Sequence, residues 1–261
     1  MVDPSQILTA ASLDNLFVIR SGAEMSRLAP ESPRKGNPGS EVEVREVRIP
    51  PVRLAGTLRI PHRAKSIVAF AHGSGSSRFS PRNMAVAEGL NAQGFATLLF
   101  DLLTSAEEAN RANVFNIALL AERLADAVAW LDHDPGLSGS RLGLFGASTG
   151  AAAALVAAAR LGDRVSAIVS RGGRPDLAGA VLDEIRTPTL LIVGGIDYGV
   201  IELNEEAFAR LRGRKALEIV PGASHLFPEP GALETVIDHA ARWFTRYLAA
   251  PPPGVSPIAN T

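Results

Sequence analysis

Three residues of this 261-residue chain have the types and order needed for acyl chemistry: Ser148, Asp197 and His225. Ser148 lies in Gly146-Ala147-Ser148-Thr149-Gly150, the G-x-S-x-G spacing of a nucleophile elbow. In that turn a serine at the tip needs neighbours two residues away without a Cβ. An alcohol is a weak nucleophile at neutral pH, so Ser148 requires a base, and a neutral imidazole has the pKa to take its proton and return it. Of the five histidines, His62, His133 and His239 fall in a loop, near a helix end and inside the last helix. His72 precedes a glycine loop too closely to reach over the serine. His225, in a flexible loop beyond the last strand, is the expected base. The imidazole needs a carboxylate to fix its tautomer. Asp197 fits by position and by the order Ser, Asp, His, with Asp176 the alternative and Asp101 read as a strand-end or substrate-side residue. The competing reading of Asp197 is a helix N-cap. Two N–H donors must face the oxyanion, one from Thr149 after the nucleophile. The other should come from Gly73-Ser74-Gly75, with Ser74 first and Gly75 second.

These residues need a scaffold that gathers loop ends. Residues 66–71 form a continuous apolar run, the pattern of a strand buried on both faces of a parallel sheet, and they lead into His72-Gly73-Ser74-Gly75. Similar runs at 95–100, 141–145, 165–170, 188–193 and 216–220 end at Asp101, the elbow, Arg171, Gly194-Gly195-Ile196-Asp197 and Pro221-Gly222-Ala223-Ser224-His225. Between them the sequence predicts helices. One starts at Pro81. One carries Ile117, Leu120, Leu124, Val128 and Leu131 on one stripe. One follows the elbow from Thr149, one bears Leu203, Ala207, Phe208 and Leu211, and a last one runs through Leu233 to Leu248. Ser105 with Glu108 has capping-box spacing. Upstream, the alternation around Val42, Val44 and Val47 and again from Val52 to Pro61 predicts two antiparallel strands joined at Pro50-Pro51. The result is an α/β fold, a doubly wound, mostly parallel sheet with an antiparallel N-terminal edge. In such sheets ligands sit beyond the carboxyl ends of the strands.

Composition narrows the function classes. An apolar fraction of 46% suffices for one sizeable core. A net charge of -1 from scattered charges predicts neither nucleic-acid nor membrane binding. The absence of cysteine excludes disulfides and thiolate chemistry. No zinc-type cluster, P-loop or strand-linked G-x-G-x-x-G fingerprint is present, so neither a metal nor any other cofactor is implied. No signal peptide or membrane span is readable, and the expected location is cytoplasmic. Residues 1–40, rich in proline and glycine towards their end, read as a flexible extension, 41–249 as the domain, and 250–261 as a disordered tail.

Phe70-Ala71-His72-Gly73-Ser74-Gly75-Ser76, Leu144-Phe145-Gly146-Ala147-Ser148-Thr149-Gly150, Ile192-Val193-Gly194-Gly195-Ile196-Asp197 and Pro221-Gly222-Ala223-Ser224-His225 together resemble the α/β-hydrolases of the dienelactone-hydrolase-like group. The stretch Ser170-Arg171-Gly172-Gly173-Arg174-Pro175-Asp176 resembles a branch sometimes fused to a phosphoribosyltransferase. Forty N-terminal residues cannot hold that domain, so any such partner would be a separate chain. Dienelactone hydrolases proper use a cysteine nucleophile, and here Ser148 stands in its place. The resemblance therefore implies a serine carboxylesterase, with a thioesterase, an acyltransferase or a non-catalytic binding subunit as the alternatives. The expected partner is a small-molecule ester; the oligomeric state is not legible. Between the strands at 165–170 and 188–193 only the seventeen residues from Arg171 to Thr187 are available, too few for a large helical cap. The site should be open, with His72, Gly75, Asp101 and Arg171 as pocket residues, and should favour short or activated esters.

Overall fold

The computed structural model describes residues 42–249; the extension over 1–40 and the tail over 250–261 lie outside the described residues. The strands are β1 (Val42–Ile49), β2 (Leu54–Pro61), β3 (Ser66–Ala71), β4 (Ala96–Phe100), β5 (Arg141–Ala147), β6 (Val165–Arg171), β7 (Thr189–Gly194) and β8 (Lys215–Val220). The helices are α1 (Pro81–Ala92), the four-residue α2 (Ser105–Glu108) and α3 (Arg111–Val114), α4 (Ile117–Asp132), α5 (Thr149–Leu161), α6 (Tyr198–Arg210) and α7 (Ala232–Leu248). All eight strands form one sheet in the order β1-β2-β4-β3-β5-β6-β7-β8. β2 pairs antiparallel with β1 and β4, and every other neighbouring pair is parallel. This is the α/β-hydrolase arrangement, with the antiparallel edge where the period-two stretches of the sequence lie.

The central strands are mostly apolar because both faces are covered. In β3, Ile67, Ala69 and Ala71 enter the core beneath α4, α5 and α6, while Val68 and Phe70 enter the core beneath α1 and α7. α7 turns one stripe inward, burying Val236, Ala240, Phe244 and Leu248 at the spacing of four that a helical face requires. Phe244 seats against β5 only because residue 143 is glycine: a Cβ there would lie 2.5 Å from the ring. α5, with seven alanines among its thirteen residues, buries ten consecutive residues. Its small side chains let it approach the sheet closely enough to carry the elbow.

The winding creates the crevice. From β3 the chain moves to β4 on one side, then returns to β5 on the other side of β3. The loops after β3 and β5 therefore diverge at the topological switch point, where open α/β sheets take their ligands. His72-Gly73-Ser74 and Ser148 occupy those two loops.

One local expectation is corrected. The capping box belongs to Thr104 and Glu107: the Glu107 N–H donates to Thr104 Oγ1 at 3.2 Å and the Thr104 N–H to Glu107 Oε2 at 2.9 Å. Ser105 is already the first helical residue. Both pairs have the right spacing, and the extended backbone at Thr104 decides between them. The segment after Arg171 is a 3-10 helix, Pro175–Glu184, interrupted at Gly179 by a positive φ of 59°. It packs against α5 and α6, and no large cap is inserted between β6 and β7. Among the described residues no helix is long and apolar enough to cross a membrane.

Candidate active site

Ser148 is presented on a strained turn. Its φ of 52° and ψ of -124° lie where a side-chain-bearing residue rarely sits, at a cost of roughly 1–3 kcal/mol that the surroundings must offset. They do so through three backbone bonds. The Ser148 N–H donates to Arg171 O at 3.3 Å, and Ser148 O accepts from Ala151 N at 3.1 Å and Arg174 N at 3.0 Å. The flanking glycines are a steric necessity. A Cβ on Gly146 would lie 2.4 Å from Ala151 Cα, and one on Gly150 would lie 2.2 Å from Ala71 O. Gly73 is equally constrained, since its Cβ would meet Ser148 Cβ at 2.9 Å. The loop after β3 thus lies directly over the serine.

The loops after β7 and β8 are drawn together by backbone bonds from Gly195 N to Val220 O at 2.8 Å and from Ile196 N to Ala223 O at 3.0 Å. Asp197 occupies the N-cap position of α6, yet its side chain makes no capping bond. Its Oδ2 instead accepts from His225 Nδ1 at 2.7 Å. A carboxylate only accepts, so the Nδ1 proton belongs to the imidazole, and Nε2 is left as the free base. The Asp197 side chain is 17% exposed and that of His225 37%, so the pair is shielded on the carboxylate side and reachable on the imidazole side. Phe227, buried, anchors the His225 loop. Gly172 lets that loop approach: a Cβ there would lie 2.8 Å from His225 O. Asp176, the alternative acid, is held by Arg174 through two bonds of 2.8 and 2.7 Å.

The oxyanion side departs from expectation. Thr149 opens α5, so its N–H is among the first four of the helix, which have no intrahelical acceptor. The Ser74 N–H is not free; it donates to Thr149 Oγ1 at 2.9 Å.

The pocket residues separate into two groups. A cavity of about 190 Å³ opens beside the Ser74 loop, walled by His72, Gly75, Phe79, Asp101, Leu102 and Val114, among others. His72 frames it without being available for chemistry. Its Nε2 accepts from Leu102 N at 3.1 Å and its Nδ1 donates to Gly73 O at 2.9 Å. Burial pushes its pKa below the ordinary value, with the Gly73 bond a smaller opposing effect, so the ring stays neutral and ties the loops after β3 and β4 together. Asp101 does similar work, accepting from the Arg78 N–H at 2.9 Å and from the Arg78 guanidinium. Arg171 does not line this cavity. Its side chain turns toward α1, where Nη2 donates to Asn83 Oδ1 at 3.3 Å, and its guanidinium lies 5.9 Å from the Phe227 ring centroid. Burial, aided by Arg82, lowers its pKa to about 10.

Sequence reasoning missed the Thr149 hydroxyl and Asn204. Asn204, fully buried on α6, donates to Gly173 O at 3.0 Å and so fixes the turn behind the elbow. A polar residue inside an amphipathic helix reads as solvent-facing, and no pattern in the chain marks it otherwise.

Comparison with known proteins agrees with this fold. The crystal structure of a dienelactone hydrolase from Anabaena variabilis is 52% identical, covers 81% of this chain and 100% of its own, and superposes with a TM-score of 0.77. A lidless α/β serine hydrolase from Xanthomonas campestris shares the fold at 20% identity and a TM-score of 0.64, covering 81% of this chain and 97% of its own. Two Mycobacterium tuberculosis proteins named "Putative phosphoribosyl transferase" are 58% identical over 203 residues, 78% of this chain. The chain spans about half the length of these curated relatives, 46%. Residues 54–247 match the dienelactone hydrolase family as a whole, from the second strand to the end of the last helix, and the chain therefore belongs to the dienelactone hydrolase family.

Proposed function

We propose that the protein hydrolyses carboxylic esters through an acyl-enzyme formed on Ser148. The observation that carries this reading is the 2.7 Å bond from His225 Nδ1 to Asp197 Oδ2. It spends the carboxylate of an N-cap residue on an imidazole whose other nitrogen is left free. In the first half-reaction Ser148 Oγ attacks the acyl carbon while His225 Nε2 takes its proton, and Asp197 stabilises the imidazolium. The N–H of Thr149 faces the oxyanion of the tetrahedral intermediate. His225 then protonates the departing alcohol, and water attacks the acyl-enzyme by the same steps in reverse.

Membership of the dienelactone hydrolase family supports hydrolysis, and serine at the nucleophile position supports an ester over a dienelactone. Among the described residues the short Pro175–Glu184 segment puts no large cap between β6 and β7. Ile196, Tyr198 and Leu226, on either side of Asp197 and His225, are exposed, and these apolar side chains suit the alcohol part of a substrate held at an open edge. We assign the acyl part to the cavity of about 190 Å³ beside the Ser74 loop; short chains are expected to fit it best, because each added methylene contributes about 0.8 kcal/mol only when buried. The transferase activity in the name of the curated relatives stays with those longer chains. The test is hydrolysis of p-nitrophenyl esters of two to twelve carbons by the wild-type protein and Ser148→Ala. Efficiency peaking at roughly two to six carbons, and lost in the folded variant, is expected. Near-normal turnover by Ser148→Ala overturns the reading.

A further inference from the structure

The usual second donor of such a site is a backbone N–H from the loop after β3, and here the Ser74 N–H of that loop is engaged. Ser74 N donates to Thr149 Oγ1 at 2.9 Å, a full-strength hydrogen bond. A hydroxyl carries one proton to donate and two lone pairs to accept with. Accepting from Ser74 uses one lone pair and leaves the proton free to be donated. Thr149 is 5% exposed, so its hydroxyl is held away from bulk water. It lies beside the reacting centre: Thr149 follows Ser148 directly, and Gly73, which precedes Ser74, abuts Ser148 so closely that a Cβ on it would lie 2.9 Å from Ser148 Cβ.

We propose that Thr149 supplies both donors of the oxyanion hole, its backbone N–H and its side-chain O–H, with Ser74 N–H acting through the hydroxyl rather than on the substrate. The proposal rests on the ester-hydrolase reading. An oxyanion resting on the Thr149 N–H lies on the same residue as Oγ1, two carbons away along the side chain. Donation from Ser74 into Oγ1 polarises the hydroxyl and strengthens the bond it gives, as in any chain of hydrogen bonds in a low-dielectric site. No proton is transferred; the hydroxyl bond strengthens as negative charge collects on the former carbonyl oxygen. The arrangement is preorganised, because the hydroxyl is already fixed by Ser74 before substrate arrives.

The test compares Thr149→Val, which keeps the shape and removes the hydroxyl, with Thr149→Ser, which keeps the hydroxyl. Thr149→Ala is the second hydroxyl-free variant if valine does not fold. Each is assayed on an ester and on its thionoester, whose sulfur accepts hydrogen bonds poorly. Loss of one oxyanion donor predicts a kcat lower by on the order of 10²–10³ for valine with KM little changed, and near-wild-type kcat for serine. The ester-to-thionoester rate ratio should fall by about tenfold or more in Thr149→Val, since only the oxygen anion uses the missing bond. Equal losses on both substrates would reduce Thr149 to a support for the loop and overturn the proposal. So would an unchanged kcat in valine. Failure of the underlying reading looks different: the wild-type protein would then show no Ser148-dependent ester hydrolysis, and the proposal would fall with it.

Discussion

Replacing Asp197 by asparagine removes one charge and leaves the shape of the side chain. The bond at stake is 2.7 Å long and links a carboxylate 17% exposed to an imidazole 37% exposed. When His225 becomes imidazolium in the transition state, the two charge centres are about 4 Å apart. At an effective dielectric of about 20 their attraction is about 4 kcal/mol, which is roughly a thousandfold in rate. Asparagine costs more than this. If its amide NH₂ faces Nδ1, the imidazole must carry its proton on Nε2 and cannot accept from Ser148. The two effects together predict a kcat lower by on the order of 10⁴, about 5.4 kcal/mol, with KM nearly unchanged because the interaction is made in the transition state. The assay is steady-state hydrolysis of p-nitrophenyl acetate, with circular dichroism to show that the variant is folded. Asp176→Asn, which disturbs only the pair with Arg174, should lose less than about tenfold. A reversal of the two effects, or a small effect from both, would refute the assignment of Asp197.

Three further outcomes are expected. Gly150→Ala should destabilise the fold by about 2 kcal/mol or more, seen as a lower urea midpoint, since the new methyl would lie 2.2 Å from the Ala71 carbonyl oxygen and backbone cannot yield cheaply; an unchanged midpoint would contradict this. Arg123→Ala should cost about 1–3 kcal/mol, because buried Arg123 binds Glu107 Oε1 at 2.6 Å and joins α4 to the α2 turn; a loss under 0.5 kcal/mol, on the order of an exposed pair, would contradict it. The third outcome concerns pH. His72 titrates below its ordinary value of 6.5 because burial disfavours the cation, so the unfolded chain binds that proton more readily. Stability should fall as pH drops below about 6.5 and level off once the folded-state pKa is passed. Thermal melts of His72→Asn should show a weaker dependence over that window, and a parallel curve would contradict the argument.

What the sequence discloses and what it conceals divide along physical lines. The elbow is legible because a Cβ on either of its glycines would lie 2.2 to 2.4 Å from backbone atoms, which admits no other residue. The parallel strands are legible because burial on both faces leaves continuous apolar runs. Asp197 is ambiguous, since an aspartate before a helix is as natural a cap as a catalytic acid. Only the missing cap bond and the contact to His225 separate the two. The side of the sheet end to which Arg171 turns depends on Asn83, eighty-eight residues away in sequence, and no local pattern reports it. The Thr149 hydroxyl is hidden for a similar reason. A threonine opening a helix is unremarkable until the loop after β3 is seen to place the Ser74 N–H upon it. Thr104 and Ser105 share one spacing rule, so the register of that cap had to come from the backbone.

The central claim is that Ser148 is an activated nucleophile, and covalent labelling tests it most directly. Incubation with a fluorophosphonate followed by intact-protein mass measurement and peptide mapping should give one adduct per chain, on Ser148. Labelling should be slowed by orders of magnitude in His225→Ala, where the base is gone, and absent from Ser148→Ala. No adduct on the wild-type protein, or an adduct that persists in Ser148→Ala, would contradict the account.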